Sequence, residues 1–301
     1  MKITDTLTHE ESGSRSRMEL WWRKKEFKLL YKGFRGGSVP DAFMNKIKDV
    51  RKVEEVFKLK GFQYGNWLTN GDRFNYLAAL GICLYDLNKV LKFKNNNLGF
   101  DGNLGVAFGA RGVRGAMAHY EASRHLINMT RYHEAERYDT NPSKETLFVN
   151  TGGAGAFAHE YGHFLDYFIG QNIKTHPTIY TLTNWRSTSQ RRIKYDPKKY
   201  PARAIVENIL MLAYWSEEGK KDSNFIIRVK RFGVKAYWFR RNEIFARLFE
   251  QYIGYKLKQI GIENSFLTHN KYAKQVYMTQ AELKKVVPLF DELLIHIRMA
   301  F

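Results

Sequence analysis

Gly152-Gly-Ala-Gly-Ala-Phe-Ala-His-Glu-Tyr-Gly-His-Phe-Leu-Asp-Tyr167 is the stretch on which the rest of the chain is best read, because it contains His159-Glu160-x-x-His163. On a helix each residue advances about 100°, so the two histidines stand about 40° apart, one turn above the other, and their imidazoles can converge on one ion. Glu160 falls about 60° further round, within reach of water held by that ion without being a ligand. This is the pattern of zinc hydrolases: two imidazole ligands and a general base. With no thiolate nearby, the donor set points to Zn2+ over iron–sulfur or copper. The spacing predicts a helix with Asp166 and Tyr167 on the histidine face and Phe157, Tyr161, Phe164, Leu165 and Phe168 on the opposite one. The preceding Gly152-Gly-Ala-Gly155 allows a tight approach into that helix.

The third ligand decides the class of site. The longer pattern H-E-x-x-H-x-x-G-x-x-H needs Gly at 166 and His at 169, and the chain has Asp166 and Ile169, which excludes that class. Glu243, Glu250, His119, His176 and Asp166 remain. Asp166, on the metal helix itself, suits a carboxylate that orients an imidazole N–H better than a ligand. Trp238 to Tyr252 reads as a second amphipathic helix with Glu243, Arg247 and Glu250 on one face and Phe245, Leu248, Phe249 and Tyr252 on the other. Asn242-Glu243 at its start matches the two-His-one-Glu arrangement of thermolysin-type enzymes, so Glu243 is the favoured third ligand, with Glu250 second in line and otherwise a supporting carboxylate.

The 301 residues are 44% hydrophobic and 15% aromatic, ample for a packed core and contrary to disorder. Cys83, the one cysteine, rules out an intramolecular disulfide, and its apolar surroundings suit packing in a reducing, intracellular setting. No apolar leader occurs in Met1 to Ser16 and no run of about 18 apolar residues occurs anywhere, so a soluble protein not secreted by a standard signal is expected, without membrane contact. The net charge of +19, with 49 Lys and Arg against 30 Asp and Glu, favours nucleic acid or an acidic partner.

Residues 1–60 read as a basic N-terminal extension, with Leu20, Trp21, Phe27 and Leu30 at loosely helical spacing and a short helix from Pro40 to about Lys60; residues 61–301 read as one domain. A long helix is expected from Asn70 to about Leu91. Leu104 to Ala110 and Leu126 to Thr130 read as short strands, separated by a glycine-rich connection and His119-Tyr120-Glu121. Arg131 to Asn150 and Ser187 to Lys199 read as loops, the second basic. Further helices are expected over Ala202 to Trp215, Asn224 to Phe232 and Gln280 to Ile297, the last with Leu283, Val286, Leu289, Leu293 and Ile297 as its apolar stripe. The result is an α+β chain, mostly helical, with a small mixed sheet.

Six segments taken together, Phe62 to Trp67, Leu104 to Gly112, Ala118 to Glu121, Ile127 to Thr130, Ala158 to Asp166 and Glu243 to Glu250, resemble the first of the large polyvalent-protein-associated domains, zincin-like domains of phages and mobile elements. The resemblance runs over about residues 60–300 and implies a zinc-peptidase-like fold in a phage or prophage setting, and with it a place in the cytoplasm of the host cell or on the virion. The chain departs from that family in its polar insertion 131–150 and in carrying a basic extension.

The expected chemistry is amide hydrolysis on a peptide or protein substrate, with zinc on His159, His163 and Glu243, and with Glu160 taking the proton of the attacking water. A substrate strand is expected to add to the edge of Leu126 to Thr130, and His119 or Tyr120, in the loop entering that strand, to donate to the oxyanion. The competing expectation is a nucleic-acid-binding or structural phage protein that retains a zinc site without catalysis.

Overall fold

The computed structural model describes residues 35, 43, 50–65, 70–111, 116, 118–129, 155–184, 191–216, 219–232, 236–268 and 272–301. The basic stretch Arg17 to Lys32, the polar insertion 131–150 and the glycine-rich Gly152 to Ala154 lie outside them. The described residues form seven α-helices and a small mixed sheet, so the chain is α+β and mostly helical. They divide into two compact units, residues 1–157 with 256–269 and residues 158–255 with 270–301. Among the described residues no helix is long and apolar enough to cross a membrane.

The first unit is built on a four-stranded sheet. Its strands are β1 (Gly61–Tyr64), β2 (Gly105–Phe108), β3 (Ala118–Glu121) and β4 (Leu126–Met129), in the order β1-β2-β4-β3. The first three neighbours in that order run parallel, and β3 closes one edge antiparallel to β4. Every residue of β2 and β4 is buried, as expected of parallel strands covered on both faces, which read as continuous apolar runs. Helix α1 (Val50–Phe57) precedes the sheet and α2 (Asn70–Leu91) connects β1 to β2. Helix α2 buries Leu77, Leu80, Ile82, Leu84 and Leu87. Cys83 packs in the same core, its thiol donating to Asn264 at 3.4 Å and pushed up by burial. Beside it Asp86 accepts two bonds from Arg35 (2.6 and 2.8 Å) and one from Asn264 (2.9 Å), so this buried carboxylate is fully matched.

Three expectations for this unit change. β1 escapes the sequence reading because Gly61-Phe-Gln-Tyr64 is too short to show a period. His119-Tyr120-Glu121 is part of strand β3 and not a connecting loop. β4 lies between β2 and β3, so both its edges are taken and no substrate strand can add to Leu126–Met129; the outer strands are β1 and β3.

The second unit is helical: α3 (Phe157–Asn172), α4 (Pro201–Tyr214), α5 (Asn224–Arg231), α6 (Arg241–Gln259, its last four residues counting with the first unit) and α7 (Gln280–Ala300). A two-residue hairpin, β5 (Trp215–Ser216) with β6 (Lys221–Asp222), joins α4 to α5. Helix α7 opens on a capping box, in which Thr279 accepts from the Glu282 N–H and the Glu282 carboxylate from the Thr279 N–H. It buries Leu283, Val286, Phe290, Leu293, Leu294 and Ile297. The Phe290 ring lies 4.9 to 6.1 Å from those of Tyr252, Phe245 and Phe249, which seats α7 on α6.

Truncating Phe290 to Ala removes the ring on which all three α6 aromatics converge. An equilibrium urea titration is expected to show a loss of about 3–5 kcal/mol with an unchanged slope; a loss below about 1 kcal/mol would show that α6 and α7 are held together elsewhere.

Candidate metal centre

Helix α3 is not amphipathic in the way its sequence suggests. From Phe157 to Ile169 only Tyr167 is more than marginally exposed, and the polar stripe is as buried as the apolar one: His159 1%, Glu160 4%, His163 7% and Asp166 0%. Buried polar groups on this scale need partners. They find them on α6, and glycine makes the approach possible. A Cβ on Gly162 would stand 3.1 Å from the Ala246 Cα and 3.3 Å from the Phe249 ring, so the two helices meet closer there than any larger residue allows without movement.

At that spacing Glu243, in the first turn of α6, divides its carboxylate between the two imidazoles. Oε2 lies 3.6 Å from His159 Nε2 and Oε1 lies 3.5 Å from His163 Nε2. One ligand atom from each of the three residues falls within 4.8 Å of the other two. Ligands about 2.0–2.1 Å from a tetrahedral zinc stand about 3.4 Å apart, so the spacing suits that ion with little adjustment. Glu250, two turns along α6, lies on the other side of His159. Its Oε2 is 3.9 Å from Nδ1 and accepts the Tyr277 hydroxyl at 3.2 Å. His159 Nδ1 is buried and makes no hydrogen bond among the described residues, so a small shift would bring it onto Glu250 as a metal-binding imidazole requires.

The remaining sequence candidates are engaged in other contacts. Both oxygens of Asp166 accept from Thr183, Oδ1 from its N–H (2.8 Å) and Oδ2 from its hydroxyl (2.7 Å), so Asp166 anchors a loop beside the metal helix. His119 and Tyr120 stand on β3 in the first unit. The Tyr120 hydroxyl is engaged by His125 Nδ1 at 2.5 Å, and His119 pairs across the sheet with Asn128. His176 lies on an exposed segment against the rings of Tyr195 and Tyr200.

Several residues around the cluster are not singled out by the sequence. Tyr237 stands in a short 3-10 turn (Ala236–Phe239) just before α6; burial and the charges of Glu243 and Glu160 push its phenol far up. Tyr272 sets its ring 5.7 Å from that of His159 and is pushed up by burial and by Glu160, Glu243 and Glu250. Arg247, fully buried on α6, donates to the Trp238 carbonyl at 2.6 Å and lies over the Trp238 ring. The adjacency of Tyr237 and Trp238 to a helix-initial Glu was the one available signal.

A strap of chain over residues 179–183 ties the metal helix to the ligand helix. A Cβ on Gly170 would fall 2.5 Å from the Thr181 Cα, so the strap crosses α3 at a point only glycine leaves open. Arg203 donates to the carbonyls of Thr181, Gly170 and Ile179. Arg241, the first residue of α6, donates to the Thr183 carbonyl at 2.6 Å and to Glu207. Asp166, Thr183 and Arg241 thus form a continuous buried chain from α3 to the turn that carries Glu243.

The buried charges of this unit fall into groups. Among its described residues it buries the carboxylates of Glu160, Asp166, Glu207, Glu243 and Glu250 and the guanidiniums of Arg203, Arg241 and Arg247. Arg203 and Arg241 stand with Asp166 and Glu207 around the strap. Glu243 stands between the two imidazoles, a donor set that suits a divalent cation. Without an ion the adjustment falls on the histidines. Burial lowers His163, but the charge and hydrogen bond of Glu243, with Glu160 and Asp166, outweigh it and hold His163 up at about 9. Burial dominates at His159 and depresses it to about 4. Burial would raise Glu243, but the two imidazoles hold it well below the usual carboxylate range. Asp166 is raised to about 6, chiefly by burial.

A family model described as large polyvalent protein-associated domain 1 matches residues 233–301. The matched part holds Glu243, Arg247, Glu250 and Tyr272, whereas His159 and His163 precede it. No curated protein and no solved structure is matched.

The raised His163 gives the metal-free protein a pH dependence. Its stabilisation is complete below the unfolded value near 6.5 and is lost as pH rises through about 9, a change on the order of 3 kcal/mol. Unfolding midpoints measured with chelator between pH 6.5 and 8 should therefore fall, and a His163→Asn variant should show a flat profile; parallel slopes would mean His163 is not charged. A second expectation concerns the strap. Thr183→Val removes the hydroxyl bond to a buried carboxylate and should cost about 1–3 kcal/mol and loosen metal binding, with Thr183→Ser restoring both; equal metal affinity in parent and valine variant would separate the strap from the site.

Proposed function

We propose that the chain is a zinc-dependent peptidase of phage or mobile-element origin acting by water-mediated amide hydrolysis. The observation that carries this reading is the convergence of His159, His163 and Glu243, with Glu160 buried on the same helix as the two histidines. The donor set, two imidazoles and one carboxylate with an orphaned Nδ1 next to a supporting carboxylate, fits a catalytic zinc ion with a free coordination position.

When bound, the ion supplies Lewis acidity and lowers the pKa of water at its open position. The protein's own groups do the rest. Glu160, adjacent in sequence to His159 and not one of the three ligands, accepts the water proton and returns it to the leaving amine. Tyr237, in the turn just before α6, is a further donor to the carbonyl oxygen as it gains charge, beside the sequence candidates His119 and Tyr120; the charges of Glu243 and Glu160 keep its phenol protonated. Arg247 holds the Trp238 carbonyl and so fixes the turn from which Tyr237 reaches in. The match to a polyvalent-protein domain supports the phage setting, and with it action inside the host cell.

Metal analysis of the purified chain is expected to give one zinc per molecule, reduced by orders of magnitude in Glu243→Ala and His163→Ala. Glu160→Gln should keep the zinc and the unfolding midpoint while peptide cleavage, assayed on unfolded protein and phage or host extracts, drops about 100-fold or more. Undiminished cleavage by Glu160→Gln with zinc bound would end the general-base assignment, and a parent chain free of stoichiometric zinc would end the whole reading.

A further inference from the structure

His159 Nδ1 is buried and, among the described residues, makes no hydrogen bond; the Glu250 Oε2 that faces it stands 3.9 Å away. An imidazole that holds a metal through one nitrogen needs a fixed acceptor at the other, because that acceptor sets the tautomer and the plane of the ring. The final torsion of a glutamate is broad and roughly two-fold, so such an acceptor needs a donor that keeps one oxygen turned towards the ring.

Tyr277 is placed to be that donor. Its hydroxyl donates to the same Oε2 at 3.2 Å and accepts from the Tyr272 N–H at 3.5 Å, so the direction of its proton is set, and the oxygen keeps a lone pair for the imidazole. Tyr277 is itself held. Its carbonyl accepts from Arg228 at 3.3 Å, and its ring stacks at 6.2 Å on that of Tyr272, which in turn meets the His159 ring edge-to-face at 5.7 Å. Gln251 grips the next residue at both backbone groups: its amide donates to the Met278 carbonyl at 2.9 Å and accepts from the Met278 N–H at 3.0 Å. Because Gln251 follows Glu250 on α6, two consecutive helix residues meet two consecutive residues of the segment, 250 with 277 and 251 with 278. All four are buried, so the pairing is shielded from competing water.

We infer that Tyr277, held in register by Gln251, is a positioning residue that fixes the Glu250 carboxylate against His159 Nδ1 and so orients the imidazole for zinc. This role rests on the proposed zinc site and names what keeps one of its ligands in place. A tyrosine that merely satisfied a buried carboxylate would stabilise the fold with no separate effect on the ion. A positioning tyrosine acts on the ion, and only while Glu250 is present to transmit its effect.

The test is a double-mutant cycle on zinc affinity, measured by competition with a coloured chelator, over the parent, Tyr277→Phe, Glu250→Ala and the double variant. Tyr277→Phe is expected to weaken zinc binding about tenfold in the parent, the low end for groups that support a metal-binding imidazole. In the Glu250→Ala background the same change is expected to alter affinity by less than about twofold, because the carboxylate through which it acts is gone. Ser223→Ala, which removes the cap of α5, should lower the unfolding midpoint and keep the parent's zinc affinity, separating lost stability from lost positioning. In the zinc-loaded parent the His159 Nδ1 proton should give a slowly exchanging imidazole resonance that is broadened or lost in Tyr277→Phe; this measurement serves even if Glu250→Ala does not fold. Parental zinc affinity and an unchanged resonance in Tyr277→Phe overturn the inference while the zinc site stands, as do equal losses in both backgrounds. A parent chain that takes up no zinc ends the inference together with the reading on which it rests.

Discussion

The helix contact at Gly162 is the constraint on which the second unit depends. A side chain of any size there would hold α3 away from Ala246 and Phe249, and the Glu243 carboxylate would no longer reach both imidazoles. Close contact also dehydrates everything between the helices. Charges that water would otherwise screen must then be balanced by fixed partners, which explains why the polar residues of α3, α4 and α6 occur as matched sets. Two sets close on themselves through Arg203, Arg241 and the strap. The third gathers around Glu243, at the point where the imidazoles converge.

Much of the site was readable from the sequence because its parts are local. His159, Glu160 and His163 follow from helical spacing alone, and Glu243 stood out because it opens a second helix with a carboxylate on the right face. Tyr237 and Tyr272 were not readable. They come from a turn and an irregular segment with no period, and only the folded chain sets them beside Glu243 and His159. The expected loop at His119 and Tyr120 failed for a related reason: their order in the sequence suggested an entry loop, whereas backbone pairing with β4 makes them a strand. Helix positions followed periodicity well, from α2 at Asn70–Leu91 to α7 at Gln280–Ala300. The face pattern of α3 misled because a helix covered on all sides buries its polar stripe too. The expected edge role of β4 failed because strand order depends on long-range pairing that four-residue runs do not encode.

The two units use buried charge differently. In the first, Asp86 with Arg35 and Asn264 forms a self-contained set that leaves nothing over for a ligand. In the second, the strap set is equally complete, while Glu243 is shared between two imidazoles and Glu250 stands beside one of them. The first arrangement turns its donors and acceptors on one another, and the second gathers three donor atoms around one point.

The strap across α3 has a consequence for how this protein can vary. Arg203 and Arg241 hold it almost wholly through main-chain carbonyls, at Ile179, Thr181 and Thr183, and side chains such as Tyr180, 56% exposed, point away from the junction. Descendants of this chain are thus free to drift at Ile179 and Tyr180, while Gly170, Thr183 and the two arginines that read the backbone must change together or not at all.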